Sequence, residues 1–155
     1  MSRPSRLSAE WSEAVPVSET ERADAAGNLE IVFVDWLDAL RRRDIERVER
    51  RMAPDVIHQG VRGDLVCRGR EAVIDRLRTR GSRLPRVTAM ELLEAGDQVL
   101  VRLCAQGLGV PVDDDGPPRG EAIVVFTLAN GLIVRMDDYV TRAEALAALA
   151  RPPAR

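Results

Sequence analysis

The sequence contains no lysine, a single histidine, two cysteines and few aromatic residues. All 23 basic residues are arginines, and 25 acidic residues bring the formal net charge to −2. Nucleic-acid binding needs a concentrated basic surface, so this balance argues against nucleic acid as a partner. Cys67 and Cys104 are too few and too far apart for a disulfide framework or a zinc site. We therefore expect neither a metal nor another cofactor.

Long hydrophobic segments are also missing. No apolar run approaches the roughly 20 residues of a membrane-spanning helix, and residues 1–16 lack the apolar core of a signal peptide. The sequence thus predicts a cytoplasmic protein that does not bind membranes. Its 155 residues, 45% of them hydrophobic, suit one domain. We place that domain at 28–150, between a flexible N-terminal arm, 1–27, and a tail, 151–155.

The first half of the domain shows mainly helical periodicity. Asp44 is placed to cap a helix that Pro54 then ends, because the residue before proline disfavours helical geometry. Gly60 and Gly63 mark a turn between two short strands. In chain order, the predicted elements are helices 28–43 and 45–52, strands 55–59 and 65–67, and a helix over 70–80.

After Pro85 the apolar period changes from that of a helix to that of a strand. The predicted elements are strands 87–93, 98–106, 122–128 and 132–139, then a helix over 143–150. Asn130-Gly131 is a strong hairpin signal between the last two strands. Helices followed by an antiparallel meander predict an α+β fold. A curved, cone-shaped antiparallel sheet wrapped on the N-terminal helices would leave a concave side for a small-molecule pocket.

Several short motifs recur in the order found in one superfamily. They are Trp36, Ala39-Leu40, Asp44, Val48, Met52-Ala-Pro-Asp-Val56, Gly69-Arg-Glu-Ala-Val73, Asn130-Gly-Leu-Ile133 and Asp138-Tyr139. Together they resemble the nuclear transport factor 2-like superfamily, and within it the SnoaL-like group, over about residues 28–147. The resemblance implies a cone-shaped scaffold that hosts isomerases, cyclases, hydrolases and non-catalytic proteins, so it predicts the fold and not the reaction.

Comparison with two enzyme types of this superfamily mostly eliminates reactions. Ketosteroid isomerases need a tyrosine, a carboxylate base and a protonated aspartate where this chain has Trp36, Gly60 and Val124, which excludes their mechanism. Limonene-epoxide-hydrolase-like members use an Asp–Arg–Asp set. Arg102 and Asp138 match two of its positions, but Cys104 replaces the second carboxylate, so half of the acid/base pair is missing.

Polyketide cyclases of the SnoaL type resemble the chain in having an inward aspartate and a histidine that share proton transfer. Asp138 and His58 are the corresponding candidates. Arg102 is the expected partner of Asp138, because a carboxylate inside an aliphatic cone is unfavourable without one. His58 is expected on the pocket side of its strand, where an imidazole can shuttle protons near neutral pH. The expected substrate-binding wall consists of Trp36, Cys104, Val124, Phe126 and Met136.

Two functions remain open from the sequence. The first is a pocket for a small hydrophobic or polyketide-like molecule, with cofactor-independent acid/base catalysis in a cyclase, isomerase or hydrolase type of reaction. In it Asp138 is the acid/base residue, Arg102 tunes it and His58 assists. The second is a non-catalytic ligand-binding or dimerisation module in which Arg102 and Asp138 form a structural pair. The strand over 122–128 is apolar on both faces, which favours either a strand covered on both sides or a homodimer contact.

Overall fold

The computed structural model describes residues 4–7, 27–80, 86–106 and 121–150. Most of the predicted arm and the whole predicted tail lie outside these residues. The first helix, α1, is α-helical over Asn28–Glu30 and Ala39–Arg41 and π-helical between them, over Ile31–Asp38. The other helices are α2 (Ile45–Arg50), α3 (Arg70–Arg80) and α4 (Arg142–Ala150).

Seven strands form one sheet. They are β1 (Pro4–Leu7), β2 (Met52–Gln59), β3 (Val66–Arg68), β4 (Arg86–Ala95), β5 (Gln98–Gln106), β6 (Glu121–Ala129) and β7 (Leu132–Tyr139). Their order in the sheet is β1-β4-β5-β6-β7-β2-β3, and the sheet is curved and does not close. The predicted α+β class is confirmed. The sheet is not wholly antiparallel, however, because β2 pairs with β7 in parallel.

The start of β2 differs from the prediction. The strand begins at Met52, three residues before the predicted Asp55, and Pro54 lies inside it. Met52 already pairs with Ile133 of β7, and the register then shifts before Ile57. A proline lacks the N–H that regular pairing requires, so this irregular stretch accommodates it. The preceding helix, α2, ends at Arg50, two residues before its predicted end and four before Pro54. Pro54 is therefore not the residue that ends it.

Strand β1 is not predicted by the sequence. It pairs in antiparallel fashion with β4, from Pro4 opposite Leu93 to Leu7 opposite Met90. An edge strand is held mainly by backbone hydrogen bonds and tolerates proline on its free side. Four residues without an apolar period can therefore add to a sheet edge.

The two faces of the sheet pack against different helices. We call inner the face that bears Val56, Val101 and Phe126, and outer the face that bears Leu100 and Val125. The inner face packs against residues of α1, α2 and α3, whereas the outer face packs against Ala145, Leu146 and Leu149 of α4. Both faces of β6 are thus covered within the chain, which accounts for its apolar sequence without a homodimer contact.

Candidate functional site

The strand register brings five of the predicted site residues to the inner face, one of which is Phe126. His58 of β2 lies beside Met136 of β7, and Asp138 follows two positions later on the same face. Asp138 lies opposite Val124 of β6. His58, Val124, Met136 and Asp138 therefore form one contiguous group at the end of the sheet where β2 and β7 terminate.

His58 and Asp138 contact each other directly. Nε2 of His58 lies 2.8 Å from Oδ1 of Asp138, and the two side chains are 22% and 28% exposed. Within the described ranges, neither Nδ1 of His58 nor the second carboxylate oxygen of Asp138 has a hydrogen-bond partner. One atom on each side chain thus remains available to a bound molecule.

The contact determines where the imidazole carries its proton. An ionised carboxylate only accepts hydrogen bonds, so Nε2 of His58 is the nitrogen that donates to Asp138. In the neutral ring Nδ1 then holds a lone pair and can accept a proton. This is the arrangement in which an aspartate orients a histidine that acts as a general base.

An apolar wall lies next to this pair. The rings of Trp36 on α1 and Phe126 on β6 meet edge to face, with centroids 5.7 Å apart and planes at 71°. Phe126 lies opposite Met136, the neighbour of His58. Trp36, Phe126 and Met136 are all at least 95% buried, whereas Val124 is partly exposed. Of the predicted wall residues, Val124 is therefore the one on this face with accessible surface.

A surface cleft of about 320 Å³ lies at the same end of the sheet. Its lining consists of Gln59, Gly60, Val61, Asp137, Asp138, Tyr139, Val140 and Glu144. Gln59, Asp137 and Tyr139 belong to the outer face, and Glu144 belongs to α4, which packs on that face. Asp138 is the one inner-face residue of this lining, so it alone joins the cleft to the His58 contact. Burial raises the pKa of Tyr139, with a further contribution from Asp137, so the phenol stays protonated and can donate a hydrogen bond into the cleft.

The predicted pairing of Arg102 with Asp138 is wrong. Arg102 lies opposite Ile123, one position away from Val124, and therefore points to the outer face. There its guanidinium binds Glu121, with Nη2 2.6 Å from Oε2. The hydrogen bond to Glu121 raises the pKa of Arg102.

Cys104 shares the outer face with Arg102, two positions away on β5. Its predicted place in a pocket wall with Asp138 is therefore also wrong. Alternation along β5 separates the two faces clearly, but it does not identify which face holds the pocket. The aliphatic face of Val99, Val101 and Leu103 is the one that packs in the inner core, beside His58 and Asp138.

A buried ion cluster on α1 was missed by the sequence analysis. Asp35 is 7% exposed, and its two oxygens accept from Arg47 and Arg51, at 3.0 and 2.7 Å. The available signal was a carboxylate inside the apolar run IVFVDWL, with two arginines 12 and 16 positions later.

Within the described ranges, no three His, Cys, Asp or Glu side chains are grouped so that they could hold a metal ion. Among the helices of the same residues, none has the length and apolar character needed to cross a membrane.

The comparisons with known proteins agree with the fold. The family model of the SnoaL-like domain matches residues 33–136. No curated protein matches the sequence.

Solved structures with the same fold are distant in sequence. A candidate polyketide cyclase from Pseudomonas putida is 16% identical, with a TM-score of 0.60 over 79% of this chain and 98% of its own. An NTF2-like protein of unknown function from Burkholderia pseudomallei is 22% identical, with a TM-score of 0.54 over 79% and 98%. The protein TerC, crystallised with polyporic acid, is 20% identical, with a TM-score of 0.56 over 80% and 99%. At these identities the likeness shows the fold alone.

Proposed function

Because the chain belongs to the SnoaL-like domain family, we propose that its inner face binds a small hydrophobic molecule of polyketide type. We propose further that His58 and Asp138 transfer a proton on that molecule without a cofactor. The observation that carries this proposal is the 2.8 Å contact between Nε2 of His58 and Oδ1 of Asp138, next to an apolar wall.

The chemistry follows from the two atoms that remain free. Nδ1 of His58 takes a proton from an acidic C–H of the substrate, which leaves an enolate and an imidazolium ion. The imidazolium is stabilised by the carboxylate of Asp138 and later returns the proton to another atom of the substrate. The same steps serve an isomerisation or a cyclisation, so they define a class of reaction.

In this proposal His58 takes the role of base that the sequence analysis gave to Asp138. Asp138 becomes the residue that orients the ring and balances its charge. Arg102 takes no part, because it lies on the outer face and binds Glu121.

Polyporic acid is a reasonable first ligand to test. It was crystallised with TerC, which shares the fold of this chain. The experiment measures its binding to the wild-type protein by calorimetry, and binding to two variants. Val124→Asp places a charge on the inner face and is expected to abolish binding. Cys104→Ser lies on the outer face and is expected to leave it unchanged. Equal affinities for all three proteins would refute the inner-face pocket.

Catalysis is tested on a ligand captured from cell extract and identified by mass spectrometry. We expect turnover to fall by about 10²-fold or more in His58→Gln and in Asp138→Asn, which is the usual scale of general acid–base catalysis. Arg102→Gln and Cys104→Ser should retain full turnover. A captured ligand that emerges unchanged would contradict the catalytic part of the proposal.

One observation favours a non-catalytic alternative. The His58–Asp138 contact also joins β2 to β7, the one parallel pair among the described strands, so it has a structural use as well. In that case the protein binds its ligand without changing it. His58→Gln and Asp138→Asn would then lower the thermal stability of the protein. The wild-type protein would release its ligand chemically unchanged.

We also propose that the protein is a cytoplasmic homodimer. Cys67 and Cys104 do not form a disulfide, as expected in a reducing compartment. Val61 and Val140, exposed by 53% and 43%, supply apolar surface near the cleft for a contact between copies. Sedimentation at micromolar concentration tests the dimer, and a monomer mass would refute it.

A further inference from the structure

The π-helical part of α1 is fixed by a buried carboxylate. Both oxygens of Asp35 are engaged, Oδ1 by Nε of Arg47 at 3.0 Å and Oδ2 by Nε of Arg51 at 2.7 Å. A π-helix is rare, occurs mostly as a single turn within an α-helix and is often found at a functional site. Eight consecutive residues adopt this conformation here, and Asp35 connects them to Arg47 of α2 and to Arg51, the residue that follows α2.

Arg51 extends the same cluster to the sheet. Its Nη1 donates to the carbonyl oxygen of Gly131 at 3.1 Å, in the turn between β6 and β7. Its own carbonyl oxygen accepts from the backbone N–H of Ile133 at 2.7 Å. Arg51 thus connects α1 to the β6–β7 hairpin through both side chain and backbone. Among the residues that the structure describes, Asp35 is the one partner of the Arg47 side chain, and Arg47 has no contact with the hairpin.

The two connected elements contribute to one packed apolar wall, in which Trp36 and Phe126 meet edge to face with ring centroids 5.7 Å apart. Trp36, the residue after Asp35, comes from α1. Phe126 lies on β6, and Met136 and Asp138 lie on β7. The position of this wall beside His58 and Asp138 therefore depends on how closely α1 is held to the hairpin.

We propose that Asp35 and Arg51 are positioning residues that set the spacing between α1 and the β6–β7 hairpin, and thereby the size of apolar molecule that the inner face admits. We name the contacts Asp35–Arg51–Gly131 the brace. The effect on ligand size rests on the proposed pocket, whereas the brace itself can be measured without a ligand.

Two matched variants distinguish the effect of losing the contact with Gly131 from the effect of removing a positive charge next to Asp35. Arg47→Gln and Arg51→Gln each remove one guanidinium from Asp35, but only Arg51→Gln also removes the contact with Gly131. Arg51→Lys keeps the positive charge but loses the two directed hydrogen bonds from Nε and Nη1, because an ammonium group cannot reproduce the planar guanidinium. Urea unfolding gives the free energy of global unfolding of each variant. The free energy of local opening, from hydrogen exchange, is compared with that value.

The first readout is backbone hydrogen exchange, analysed after subtraction of global unfolding. In Arg51→Gln we expect the backbone amides of residues 31–38 and 130–133 to exchange about tenfold faster. A change of this size is typical when one residue of a hydrogen-bond or ion-pair network is removed. In Arg47→Gln the acceleration should be confined to residues 31–38. Equal effects of the two variants on 130–133, or no effect of Arg51→Gln there, would overturn the brace.

The second readout is specificity. In a Trp11→Phe background, Trp36 is the remaining tryptophan and its fluorescence reports binding. The affinities of polyporic acid and of biphenyl, a smaller probe, are compared as a ratio. Arg51→Gln should change the ratio about fivefold or more, whereas Arg47→Gln and the wild type should agree within about twofold. An unchanged ratio in Arg51→Gln would overturn the role in specificity.

The failure of this inference is distinguishable from the failure of the proposed function. If the wild type binds neither probe, the specificity role falls together with the apolar pocket, while hydrogen exchange still decides the brace. If both probes bind and exchange at 130–133 is the same in the two variants, the brace is refuted and the pocket stands.

Discussion

His58 and Asp138, separated by 80 positions in the chain, meet with Nε2 2.8 Å from Oδ1 on the inner face of the sheet. The parallel pairing of β2 with β7 produces this contact. It places His58 beside Met136, two residues before Asp138, so that the imidazole leans along the strands to the carboxylate. The arrangement gives an oriented imidazole with a free nitrogen, the feature on which the proposed reaction depends.

Gly60 lies close to Leu65 across the turn that follows β2, which explains why a side chain does not fit there. A Cβ at this position would lie 2.7 Å from Cβ and 3.0 Å from the carbonyl oxygen of Leu65. Gly60→Ala should lower the free energy of unfolding by about 1–3 kcal/mol, as overpacking typically does. Urea unfolding measures the change.

Gly63 supplies the matched control in the same turn. A Cβ there would have no atom within 4 Å, so Gly63→Ala should leave stability within about 0.5 kcal/mol. Equal destabilisation by the two substitutions would show that the turn is sensitive to any loss of glycine, and that the contact with Leu65 is not the cause.

Asp44 caps α2. Its Oδ1 accepts from the backbone N–H of Arg47 at 3.2 Å. Asp44→Ala should lower the free energy of unfolding by about 1 kcal/mol, the usual effect of removing such a cap. Asp64→Ala is the control, because that side chain is 77% exposed and its nearest cation, on Arg62, is 3.8 Å away. Differential scanning calorimetry of both variants tests the difference, and an effect of Asp64→Ala as large as that of Asp44→Ala would contradict it.

Tyr139, the single tyrosine of the chain, should titrate above its ordinary pKa of 10.0 in the folded protein, because burial disfavours the phenolate. Since the folded pKa is the higher one, this group stabilises the fold fully below pH 10 and loses that contribution as the pH rises through the folded pKa. Ultraviolet absorbance of the phenolate measures the titration. Unfolded protein in urea should titrate near 10.0, and a folded pKa at or below that value would contradict the prediction.

The regular elements of the fold are largely predictable from sequence. Residues 70–80, 98–106 and 132–139 form α3, β5 and β7 with the predicted bounds. The Asn130-Gly131 turn is confirmed, with φ of 53° and 78° at its two residues. These segments have a clear apolar period and distinct turn residues at their ends, so local chemistry determines them.

The site is less predictable because it depends on contacts between distant parts of the chain. Alternation along β5 separates Arg102 from Val101, but both faces of the sheet are covered by helices, so the pattern does not reveal which face holds the pocket. The parallel pairing of β2 is likewise invisible locally, since strand direction is set by the path of the whole chain. The brace depends on the rotation of α1 about its own axis, which the π-helical stretch alters.

The most direct test of the central claim is nitrogen-detected NMR of the single imidazole. With Asp138 as its partner, we expect the neutral ring of His58 to carry its proton on Nε2 and to leave Nδ1 unprotonated. Asp138→Asn should abolish that preference, whereas Arg102→Gln on the outer face should leave the spectrum unchanged. A wild-type ring protonated on Nδ1, or an even mixture insensitive to Asp138→Asn, would contradict the account.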